Sequence, residues 1–242
     1  GWRISYIPVD PEGILKPAAL DAALAPDTVL VSVMLANNDV GTIQPLREVV
    51  ARARMRGIPV HTDAVQAAGK MAIDVRELGV DLLSVSAHKL HGPKGVGALF
   101  VRRGFELPAL VHGGPQEGRR RAGTENVPSI AGFGRACEIA QERLASRARQ
   151  DRALRDSLER GILESIPGTR LNGHPTLRLP NTLNVSFEGL VAEDLQLNLD
   201  LEGIAVSTGA ACSSAARKPS HVLQAMGRTE REALSALRFS FG

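Results

Sequence analysis

The sequence predicts an α/β protein: a mainly parallel sheet with helices on both faces, followed by a smaller α+β C-terminal unit. Three observations predict it. Strand and helix patterns alternate through the first hundred residues. The strand patterns are nearly continuous in apolar character, as in strands covered on both faces. Beyond a long, charged helical stretch the order changes, and strands and helices no longer alternate regularly. At 242 residues the chain can bury a core without staples, and a 3% aromatic fraction leaves Ala, Val and Leu to fill it.

Each element has a local reason. Ile4 to Val9 alternates weakly, reading as a strand, and meets the turn Asp10-Pro11-Glu12-Gly13. Pro17 to Leu24 is a short helix with proline in its first turn. Thr28 to Met34 is a β-branched strand, and Pro45 to Arg56 a helix with Leu46, Val49, Val50 and Ala53 on one face, stopped by Gly57. Ile58 to Asp63 and Val80 to Val85 are the next strands, and right-handed crossovers make the three parallel. Too few residues separate Val85 from Gly97–Arg102 for a helical crossover, so that strand is expected antiparallel. A long helix follows from Ser129 to about Ser165, its charges alternating in sign, with a break at Pro167-Gly168. Strands at Thr182–Phe187 and Ile204–Ser207, helices at Ala192–Leu201, Ser220–Met226 and from Thr229, and a terminal strand complete the chain. The expected division is a large unit at 1–130, a bridging helix at 131–165 and a small unit at 166–242.

Composition excludes several classes. Twenty-nine basic against 26 acidic residues give a net charge of +3, too small an excess to argue for nucleic acid. Arg119-Arg120-Arg121 is the densest basic run and reads as a solvated loop or an anion or partner contact. No stretch approaches the ~20 apolar residues of a membrane span. Cys137 and Cys212 form neither a metal-ligand spacing nor a disulfide framework, which points to a reducing, cytoplasmic setting and to no metal. Both ends look cut: an N-terminal segment and a C-terminal tail are expected beyond this sequence.

The chemistry gathers at strand ends. Lys89, in Ser86-Ala87-His88-Lys89, follows an apolar strand. A lysine there is ordinarily a solvated loop residue, yet it could form a Schiff base if burial and cationic neighbours lower its pKa. Asp63 closes the preceding strand, either as a turn cap or as the ion-pair partner of a protonated pyridine nitrogen, the recurrent contact to pyridoxal phosphate. Arg238, between Leu237 and Phe239, is either a solvated strand-edge residue or a bidentate grip on a substrate carboxylate. Cys212 lies in a Gly/Ser/Ala-rich stretch without apolar periodicity, so it reads as an accessible nucleophile. Cys137, on the apolar face of the long helix, reads as a small buried hydrophobe.

Taken together and in order, Asn37-Asn38-Asp39-Val40-Gly41, His61-Thr62-Asp63-Ala64-Val65-Gln66, Ser86-Ala87-His88-Lys89 with Gly92-Pro93-Lys94-Gly95, Arg121 to Asn126 and Ser207 to Ala215 resemble a cysteine desulfurase of the NifS/IscS type. These are class V members of the fold-type I pyridoxal-phosphate (PLP) enzymes. The resemblance implies that Lys89 binds the cofactor covalently and moves protons, with His88 beside it in the catalytic set. It implies that Asp63 holds the pyridinium nitrogen, that Gln66 bonds the phenolic oxygen, and that Asn38 contacts cofactor or substrate. Ser86 and His88 would bind the phosphate, and Thr124 the phosphate of the other subunit of a homodimer. Arg238 would hold the carboxylate of L-cysteine, and Cys212 would take its sulfur as a persulfide for an acceptor such as an iron–sulfur scaffold protein. The alternatives are a class V aminotransferase or lyase, or a non-catalytic fragment of the same fold.

Overall fold

In the computed structural model, residues 1–208 and 218–242 are described. The first sheet is built from β1 (Val31–Met34), β2 (Val60–Asp63), β3 (Leu82–Ser86) and β4 (Gly97–Val101), in that spatial order. β1, β2 and β3 are parallel, and β4 returns antiparallel, as the short connection requires. Helix α1 (Pro17–Ala23) precedes β1, α2 (Leu46–Arg54) connects β1 to β2, and α3 (Val75–Leu78) lies between β2 and β3. The buried α2 residues Leu46, Val49, Val50 and Ala53 share one face, as their spacing dictates, and join Leu20, Val31, Val60 and Leu83 in the main core.

Burial alternates along β2: Val60 and Thr62 are buried on one side, while His61 and Asp63 are half-buried on the other. The other side carries a polar ladder: Ser32 Oγ lies 2.8 Å from His61 Nδ1, and His61 Nε2 lies 2.8 Å from Ser84 Oγ. The expected strand at Ile4–Val9 does not form. Val9 makes a single bridge to Leu15, because Ile4 and Tyr6 are exposed and have no sheet face to bury.

A helical turn, α4 (Gln116–Arg119), precedes the 39-residue α5 (Val127–Ser165). Asn126 caps α5 by accepting a hydrogen bond from the Ser129 N–H at 3.3 Å, with a proline in the first turn. The helix ends before Gly168, whose φ of 73° suits glycine. Cys137 is exposed rather than buried. Phe133 and Ala136 face the core, and one further residue turns the next side chain about 100° away from it.

The second sheet is antiparallel throughout, with β5 (Thr169–Asn172), β6 (Thr182–Phe187), β7 (Ser207–Thr208) and β8 (Ala236–Ser240) in the order β5-β6-β8-β7. Helices α6 (Ala192–Leu201), α7 (His221–Ala225) and α8 (Glu230–Leu234) accompany it. All six β6 residues are buried. Leu183, Val185 and Phe187 meet Ile162 of α5, while Asn184 and Ser186 bond the buried Asn172 Nδ2 at 2.9 and 2.8 Å.

The two sheets are joined through the loop after β1. Val40 packs with Leu223, Met226, Ala233 and Ala236, and Asn184 Nδ2 donates to the Asp39 carbonyl at 3.2 Å. Gly41 permits this approach: its φ is 75°, and a Cβ there would lie 2.9 Å from Cβ of Thr182.

Candidate active site

Because β1, β2 and β3 are parallel, their carboxyl ends share one edge of the sheet, where open α/β sheets bind ligands. Asn38, Asp63, Gln66, Ser86, His88 and Lys89 all fall just at or beyond those ends. Asp63 Oδ1 accepts the Val65 N–H at 2.8 Å, so the residue does cap its turn. Its other oxygen, Oδ2, makes no protein hydrogen bond among the described residues, and the side chain is half-buried. Ser86 Oγ lies 2.7 Å from His88 Nδ1.

Lys89 sits in a 3-10 turn, Ala87–Leu90, that caps β3. The turn is held tightly against α5: a Cβ on Gly92 would lie 3.1 Å from the Ala87 carbonyl oxygen and 3.2 Å from Cβ of Ala136. Lys89 itself is exposed, so of the two conditions set for a Schiff-base lysine, burial is not met at this residue. Burial falls instead on Lys70, which lines the same cavity of about 650 Å³ between the 3-10 turn and α5, with Arg147 and Asp151. Burial is the main cause that lowers the Lys70 ammonium to about 8; the neighbouring Lys89, Arg238 and Arg147 push the same way, and Asp151 opposes them. Lys70 Nζ lies 3.4 Å from Gln66 Oε1.

Arg238, on β8, reaches across to the loop after β1. Its Nη1 donates to the Asn38 carbonyl at 3.0 Å and lies 3.9 Å from Asp39 Oδ1. Its Nε is buried without a hydrogen-bond partner among the described residues. Asp39 is itself 1% exposed, and Ser220 Oγ–H donates to its Oδ2 at 2.5 Å. Burial pushes the Asp39 carboxyl up, while the Ser220 hydrogen bond, Arg238 and His221 pull it down.

The structure therefore brings Asn38 to Arg238, and it makes Lys70 the common neighbour of Gln66, Lys89 and Arg238. Thr124 stands apart, exposed in the segment before α5. Cys212 lies within 209–217, outside the described residues. Sequence reasoning missed Lys70 and Asp39. A lone lysine inside Ala67-Ala68-Gly69-Lys70-Met71-Ala72-Ile73 and an acid inside Asn37 to Gly41 were the available signals.

The donor set fits pyridoxal phosphate and an amino-acid substrate. Around Lys70 three further cations, Lys89, Arg238 and Arg147, stand against Asp151, which suits a phosphate and a carboxylate; among the described residues the buried Arg238 Nε has no partner and Asp63 Oδ2 no hydrogen bond, which suits an anion and a protonated ring nitrogen. Among the described residues no cluster of His, Cys, Asp and Glu could hold a metal ion.

A chain folded this way belongs to the class-V aminotransferase family, whose model, Aminotransferase class-V, matches residues 1–242. Within that family the chain is 49% identical, over all of its length and 60% of the relative's, to a protein named cysteine desulfurase IscS of Methanosarcina thermophila. It superposes on a solved NifS-like protein with a TM-score of 0.91 at 42% identity, covering all of this chain and 63% of that one. A structure titled SspA in complex with cysteine matches with a TM-score of 0.83 at 35% identity, over all of this chain and 67% of that one. The chain thus spans about 60% of the length of the curated relative it matches. No helix among the described residues is long and apolar enough to cross a membrane.

Proposed function

We propose that this chain is the larger part of a pyridoxal-phosphate-dependent cysteine desulfurase, which takes sulfur from L-cysteine, releases L-alanine and holds the sulfur as a persulfide on Cys212. The observation that carries the reading is the Arg238 fork, tied at Nη1 and, among the described residues, without a hydrogen-bond partner at its buried Nε, beside the same Lys70 that neighbours Lys89. Relatives named cysteine desulfurase, and a relative solved with cysteine, support it.

When bound, pyridoxal phosphate supplies an electron sink for the substrate's α-carbon. The side chains do the rest. With the cofactor in place, Asp63 would keep the ring nitrogen protonated, Gln66 would bond the phenolic oxygen, and Ser86 and His88 would hold the phosphate. Lys89 Nζ holds the cofactor and carries the proton to and from the α-carbon. Asn38 and Arg238 orient the substrate carboxylate. The Cys212 thiolate then attacks the substrate sulfur: the S–S bond forms as the Cβ–S bond breaks, and the departing carbon keeps the electron pair and takes a proton to become alanine.

The exposure of Thr124 suits a phosphate contact across a homodimer, and the sulfur passes to an acceptor such as an iron–sulfur scaffold protein. A sequence whose only cysteines, Cys137 and Cys212, make no disulfide framework suits a reducing cytoplasm. A large unit at 1–130, a bridging helix at 131–165 and a small unit at 166–242 accord with an α5 that contacts both the 3-10 turn after β3 and strands β5 and β6 of the second sheet. The test uses the intact protein with PLP and L-cysteine. Cys212→Ser is expected to abolish alanine and sulfide formation while the visible cofactor absorbance stays. Persistent sulfide from the variant would mean a lyase.

A further inference from the structure

We infer that Asp39 is a positioning residue that sets the carboxylate-gripping edge of Arg238. The inference rests on the desulfurase reading of the site.

A guanidinium grips a carboxylate in the plane of its fork, and the side-on edge is formed by Nε and Nη2. In this chain the third nitrogen, Nη1, is occupied: it donates to the Asn38 carbonyl at 3.0 Å and lies 3.9 Å from Asp39 Oδ1. Nε is buried with no hydrogen-bond partner, and Nη2 donates to none, so among the described residues the side-on edge carries no hydrogen bond. An arginine side chain has several free rotations, and one hydrogen bond together with one ion-pair contact at Nη1 restricts them before the substrate arrives.

Asp39 can serve as such a point because it is immobilised from three directions. Its Oδ2 accepts the Ser220 hydroxyl at 2.5 Å. Its backbone carbonyl accepts Asn184 Nδ2 at 3.2 Å, and its N–H donates to Asn37 Oδ1 at 2.8 Å. It is 1% exposed, yet Oδ1, the oxygen nearest Arg238, has no hydrogen-bond donor among the described residues. A buried carboxylate oxygen without a donor is costly, and a neighbouring guanidinium is what offsets it here. Ser220 alone would account for a buried aspartate; it does not account for the oxygen turned to Arg238.

The experiment compares Asp39→Asn, Asp39→Glu and wild type in the intact PLP-loaded protein. Asparagine keeps an acceptor for Ser220 and removes the charge; glutamate keeps the charge. Turnover of L-cysteine is measured with binding of L-alanine and of L-alaninamide, which lacks the carboxylate. Asp39→Asn is expected to raise KM about tenfold with kcat within about threefold, the loss of one orienting charge contact. It is expected to weaken L-alanine by the same factor and to leave L-alaninamide unchanged, with partial recovery in Asp39→Glu. Equal weakening of both ligands, or no change in either, overturns the inference. An inactive wild type would sink the desulfurase reading instead, and the two-ligand comparison would still decide the role of Asp39.

Discussion

The arginine end and the lysine end of this site are built differently. Arg238 is held at Nη1 by Asn38 and faces an acid that is itself clamped by Ser220. Lys89 is exposed on a short turn, with no ion pair among the described residues, and its neighbourhood is charged rather than bonded. One end is shaped by the protein alone. The other is a rigid turn that presents a free amine, its surroundings made cationic by Lys70 and Arg147. A site that must fix a carboxylate and yet let an amine bond, release and move protons needs this asymmetry.

The largest expected effect is at the lysine end. Lys89→Ala is expected to cost about 10³-fold or more in turnover, since both the covalent hold and the proton carrier go. Its melting temperature is expected to stay within about 2 °C of wild type, because an exposed, unpaired lysine contributes little to stability. A large loss of stability would mean that the turn depends on this side chain, and the contrast between the two ends would fail.

Arg238→Ala is expected to raise KM for L-cysteine about 100-fold, the loss of a bidentate charged contact. Arg238→Lys keeps the charge without the fork and is expected to recover only part of that. If lysine restored KM fully, the fixed fork would be irrelevant and the arginine end would be no more shaped than the lysine end.

The smallest effect concerns Lys70. Its folded pKa of about 8 lies below the ordinary 10.5, so between these values the unfolded chain binds more protons than the folded one. Stability from this group therefore rises as pH increases through that window, by on the order of 2 kcal/mol. Thermal unfolding at pH 7.5 and 10.5 is expected to show that gain in wild type relative to Lys70→Met. An identical pH response in both would remove Lys70 from the charged neighbourhood.

Much of the first sheet was legible because its signals are local. The β-branched runs ending at Met34 and Asp63, and the short connection to Gly97, fix parallel and antiparallel partners without further information. β5 was not legible: Thr169-Arg170-Leu171-Asn172 carries one apolar residue, and Asn172 is buried for its hydrogen bonds to Asn184 and Ser186. Asp63 and Lys89 could be read as strand-end residues. Asp39 could not, because its burial comes from Ser220, 181 positions away, and from Arg238 on the last strand. Cys137 was misplaced by one helical step.

The measurement that bears most directly on the site is a chemical map of the two lysines that line one cavity. The intact protein is incubated with PLP, reduced with borohydride, digested and its labelled peptide identified by mass. The account expects the label on Lys89 and an unmodified Lys70. A label on Lys70, or none on either amine, would contradict it.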